Sequence, residues 1–149
     1  MIASLLSPNF VTDLSFEKKA FESFIEILKK EEHALVQGEF DEIDHLVTEK
    51  TRLIEKLIHL DDQRNKFFHS QGIKLNNANA WLEEYFADRP KARTLWNEVV
   101  ELARIAQSLN HTNSLMTSTL LQQNQRAFSA LHCAAGNIAL YGPKGQTYL

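Results

Sequence analysis

The sequence predicts an all-α fold: an elongated antiparallel helical bundle of coiled-coil character, with a long C-terminal helix and a short aromatic connecting helix. Three observations carry this. Apolar residues recur at 3-4 spacing over three long stretches, the period of helices packed lengthwise on one another. The five glycines and three prolines fall between or beyond those stretches and never inside them. No stretch shows the two-residue alternation of a strand.

After a lead-in containing Ser7-Pro8-Asn9, the first long helix is expected from about residue 13 to 37, capped by Thr12 or Asp13. Leu14, Phe21, Phe24, Ile25, Leu28 and Leu35 form its apolar stripe. Lys18, Lys19, Lys29 and Lys30 lie at helical spacing from Glu17, Glu22, Glu26 and Glu32, and these charges are expected to solvate the opposite side. Gly38 stops the helix, and Asp41 can cap a second one through about residue 70. So short a connection makes the two an antiparallel hairpin. On the second helix Ile43, Leu46, Leu53, Leu57, Leu60 and Phe67 share a seam that Lys50 and Arg64 complete. Val47, Ile54, Ile58 and Phe68 are expected to broaden it.

Gly72 ends the second helix, and Asn76 to Asn79 offer caps for a short third one at about residues 80–87. Its Trp81, Leu82, Tyr85 and Phe86 are large enough to plug one end of the bundle together with Trp96. Pro90 then opens the fourth helix, expected over about residues 91–135. Leu95, Val99, Leu102, Ala106, Leu109, Asn113, Met116, Leu120, Gln123, Ala127 and Ala130 make its seam, where an asparagine such as Asn113 fixes register between helices. A rod of some 45 residues, roughly 65 Å, outruns a hairpin of about 45 Å. Residues 137–149 are expected to leave the single domain as a flexible tail.

Charge is distributed unevenly along this frame. Residues 1–90 carry 11 basic and 17 acidic side chains, whereas residues 91–149 carry 5 and 2, and between Ile105 and Pro143 only Arg126 is charged. Neutral His111, Thr112, Ser118, Gln125 and His132 line the outer side instead. Such a surface is cheap to desolvate against another protein. Leu120, Leu121, Phe128, Leu131 and Ile138 form an apolar stripe there, which is left partly uncovered if the hairpin ends short of it.

Other functions find little footing. The net charge of −3 comes with no dense Lys/Arg patch for nucleic acid. The lone Cys133 forms no internal disulfide, and no apolar run is long enough for membrane insertion, so a cytoplasmic protein is expected. Glu42 and His45 have the spacing of a di-iron motif but lack a second motif on a facing helix, and Glu55 with His59 lacks further ligands; both pairs read as solvated polar surface. No phosphate loop or nucleophile elbow is present, so neither enzyme activity nor a metal or other cofactor is expected.

Several features taken together resemble the FlgN-type flagellar export chaperones. They are Glu31-Glu32 leading to the Gly38-Glu39-Phe40-Asp41 turn, Glu49-Lys50 followed by leucines to Gln63-Arg64, Asn110 and Asn113 with the apolar residues after them, and the ending Leu140-Tyr141-Gly142-Pro143-Lys144-Gly145. The resemblance covers nearly the whole chain; the short helix with Trp81 stands outside it. It implies a cytosolic chaperone that binds the terminal helical segment of the hook-filament junction proteins FlgK and FlgL, prevents their premature assembly and delivers them to the export gate. By position, substrate binding would fall on Leu120, Leu121, Phe128, Leu131 and Ile138, and docking on the gate component FlhA on Tyr141. The residues alone leave open a second reading, a self-associating coiled-coil scaffold that buries the same stripe in a homodimer.

Overall fold

The computed structural model describes residues 9–134. Four helices account for most of them: α1, Asn9–Gln37; α2, Phe40–Ser70; α3, Ala78–Phe86; and α4, Pro90–Ala134. A 3₁₀ turn, Leu75–Asn77, precedes α3. The chain divides after Asn113 into two compact units, so the first 24 residues of α4 belong to one and the remainder to the other.

α1 starts a full turn before the expected cap at Asp13. The reason is Phe10, which is buried and meets the Tyr85 ring edge-on at 5.6 Å. Burying that ring favours extending the helix backwards to Asn9, which leaves Asp13 inside it. Two glycines close the helices at their other ends. Gly38 takes φ +72°, and Glu39 N–H donates to the Ala34 carbonyl at 2.9 Å; Gly72 takes φ +70°, and Ile73 N–H donates to the Phe68 carbonyl at 2.9 Å. Both are left-handed caps in which the amide just after the glycine reaches back across the last turn.

The hairpin register can be read from two ion pairs. Glu17 meets Arg64, and Glu31 meets Lys50 at 3.2 Å. Glu17 and Glu31 are two heptads apart on α1, and so are Lys50 and Arg64 on α2. Both pairs therefore report one antiparallel alignment, in which Leu28 lies level with Leu53 and Phe24 with Leu57, residues that share a core cluster with Ala106. This corrects the expectation that Glu17 faces solvent, since it is only 5% exposed and Glu31 6%. The two carboxylates fill the gaps in the 3-4 series Leu14, Phe21, Phe24, Leu28, Leu35, just as Lys50 and Arg64 fill those of α2.

At the end of the hairpin far from Gly38, α3 inserts the expected aromatic plug. Phe10, Leu14, Phe68, Trp81, Leu82, Tyr85, Phe86, Ala92 and Val99 form one buried cluster, with Phe67 and Trp96 packed against it. Trp81 stacks on Tyr85 at 5.7 Å, and the Arg64 guanidinium lies 5.3 Å from the Trp96 ring centroid. Arg64 thus joins α1, α2 and α4 at one level. Lys18 on α1 salt-bridges Glu98 on α4 at 2.9 Å, and that hydrogen bond raises the lysine pKa.

One expectation about α2 is overturned. Ile54 packs into the core cluster, but Val47 and Ile58 are 46% and 54% exposed and do not broaden the seam. They sit beside the seam rather than on it, and the adjoining α1 and α4 already fill the seam itself.

Candidate functional site

Among the described residues of α4 the last buried one is Asn113, 1% exposed, and it sits in a polar layer shared by three helices. Its Nδ2 donates to Glu31 Oε1 at 2.8 Å and to the Leu28 carbonyl at 2.9 Å. Lys50 Nζ donates to both oxygens of the same carboxylate, at 3.2 and 3.4 Å. Each long helix thus contributes one polar group to a seam that is otherwise apolar. A carboxylate buried this deeply requires such donors, and only Asn113 of the three was legible beforehand as a register residue.

From Ser114 to Cys133 the pattern changes. No residue in that span is buried, and only Met116 and Leu120 are half-buried. Leu121 is 58% exposed, Phe128 53% and Leu131 54%. At 100° per residue, Leu120, Leu121, Phe128 and Leu131 fall within a sector of about 100°, so they form one face along about three turns. Leu115, 57% exposed, points to the opposite side. Of the residues expected to bind a partner segment, the structure therefore brings these four onto a single accessible face. Ile138 and the expected gate-docking Tyr141 lie outside the described residues.

The surroundings of that face are neutral. His111, Thr112, Ser118, Gln122, Asn124, Gln125 and His132 are all exposed, and Arg126 is the one charged residue between Ile105 and Ala134. Thr112 and Thr119 hydroxyls donate to the carbonyls one turn back, Ser108 at 3.1 Å and Leu115 at 2.9 Å, so those hydroxyls already hold a partner when water is removed. An apolar face bordered by neutral groups can be covered without stripping water from ions.

Chemistry of another kind has little to work with. Glu42, His45, Glu55 and His59 are exposed on α2, and among the described residues no three His, Cys, Asp or Glu side chains group as metal ligands would. The groove between α1 and α4 is lined by Lys18, Glu22, Glu98 and Glu101, charged groups that remain in water, together with the Asn97 amide. No described helix is long and apolar enough to cross a membrane. The family model described as FlgN protein matches residues 1–148 of the chain. No curated protein and no solved structure matches it.

Proposed function

The chain belongs to the FlgN family, whose members are flagellar export chaperones, and we propose that it holds the terminal helical segment of the hook-filament junction proteins FlgK and FlgL in the cytoplasm and passes them to the export gate. The reading rests above all on the apolar face of Leu120, Leu121, Phe128 and Leu131, on a span of α4 in which no residue is buried. An amphipathic segment laid along that face would bury its own apolar stripe, the part of a filament subunit most prone to premature assembly. Contact of this kind needs no nucleotide and no covalent step. It also stays releasable, because about 20 residues of helix offer only a modest contact area. Ile138 would extend the face, and Tyr141 would serve docking on FlhA.

The test is capture of FlgK or FlgL, through their terminal helical segments, by the full chain carrying Leu121→Asp and Phe128→Asp. Both positions are exposed, so helix content by circular dichroism should stay at the wild-type level while capture is lost. Undiminished capture by this variant would overturn the assignment of the face. A parallel substitution, Tyr141→Ala, should leave capture intact and weaken association with FlhA.

A further inference from the structure

A second apolar face lies on α2; apart from Ile54, which also packs on the core, neither the bundle core nor the chaperone reading uses it. Phe40 is 55% exposed, Val47 46% and Ile58 54%, and Ile54 between them is half-buried. At 100° per residue all four fall within a sector of about 40°, a stripe roughly 27 Å long. Exposed apolar residues scattered singly carry no message; three aligned over five turns, with half-buried Ile54 between them, do.

The border of this stripe is acidic. Asp44, Glu55 and Asp62 lie along its outer edge and are exposed. Between Phe40 and Asp62 no lysine or arginine stands beside it: Lys50 is turned to Glu31, while Arg52 and Lys56 fall on the far side of the helix. Thr48 and Thr51, also on the outer edge, donate to the carbonyls of Asp44 at 3.2 Å and Val47 at 2.8 Å. Their hydroxyls are thereby occupied and their methyls widen the apolar strip.

We infer that α2 carries a docking surface for a basic amphipathic helix, one whose apolar stripe packs on Phe40, Val47 and Ile58 and whose lysines or arginines meet Asp44, Glu55 and Asp62. Helix-on-helix packing accounts for the stripe's length, and charge complementarity selects the partner, since an acidic or neutral helix would leave three carboxylates facing it without a counter-charge. The surface is separate from the α4 face and does not depend on it.

The test titrates the full chain carrying Leu121→Ser and Leu131→Ser, which takes the α4 face out of the reading, with a roughly 18-residue Leu/Lys amphipathic peptide and with its Leu/Glu counterpart. The Leu/Lys peptide should bind and the Leu/Glu peptide should not. Val47→Ser with Ile58→Ser, which leaves every charge in place, should weaken binding at least about tenfold. Equal binding of the two peptides, or full binding by the Val47/Ile58 variant, would overturn the inference. So would sedimentation showing a stable dimer that the Val47/Ile58 substitutions dissolve, because the stripe would then be covered by a second copy of the chain.

Discussion

Substituting Lys50 by Met removes the only cation that the Glu31 carboxylate meets among the described residues, at a place where water hardly reaches. The ion pair is 3.2 Å long, and the two side chains are 18% and 8% exposed. At an effective dielectric constant near 20 their attraction is roughly 5 kcal/mol. Deleting one member of such a buried pair costs roughly 3–5 kcal/mol, because the other charge stays behind. The residual exposure of the lysine and the surviving Asn113 amide place the loss at the low end, about 3 kcal/mol. For a chain of this length that corresponds to a drop of roughly 6–12 °C in Tm, measured by circular dichroism at 222 nm and checked by guanidinium titration. The companion variant Glu31→Met, Lys50→Met, Asn113→Leu replaces the whole layer by apolar groups and should recover most of the stability. A loss below about 1 kcal/mol in Lys50→Met, or a triple variant no more stable than it, would refute the view that the layer is a buried, mutually dependent unit.

Two further substitutions test the scaffold. Gly38→Ala should cost about 1 kcal/mol through the φ of +72° alone, since a methyl there meets nothing within 4 Å; an unchanged denaturation midpoint would show that the turn relaxes. Arg64→Met should destabilise the fold by about 3 kcal/mol by leaving buried Glu17 without its cation, and should change Trp96 emission by removing the guanidinium 5.3 Å from its ring. If the emission is unaltered, Arg64 does not report on α4.

The helices were legible because a 3-4 repeat is a property of the chain itself. Gly38, Gly72 and Pro90 stand beside the observed helix boundaries at Gln37, Ser70 and Pro90, whereas the start at Asn9 goes with Phe10, whose ring meets that of Tyr85, 75 residues away. The same dependence on distant partners hid Glu17 and Glu31. A glutamate next to lysines reads as a solvated residue until one sees that it occupies a seam position, and that the facing helix has a basic residue in its own seam two heptads apart. Asn113 was easier, since an amide on an apolar seam is conspicuous in either setting. Val47 and Ile58 failed in the opposite sense: they are apolar and helical in spacing, but whether a third helix covers that side is a matter of tertiary packing that periodicity does not encode. The exposure of the α4 stripe was expected from length, since a 45-residue helix outruns a hairpin of about 30 residues a side, and the change in charge pattern spoke only to how cheaply its surroundings give up water.

That α4 crosses from a packed half to an exposed half without a break has a kinetic consequence. A free peptide of some 20 residues must first assemble an unfavourable helical turn before it can grow, and that initial step keeps most such peptides largely unwound. Here the turns ending at Asn113 are already wound and held by Leu28 and Glu31, so the stretch after them is seeded and has only to propagate. An incoming chain would find a template whose ordering cost has been met in advance, leaving only its own coil-to-helix transition to slow the encounter.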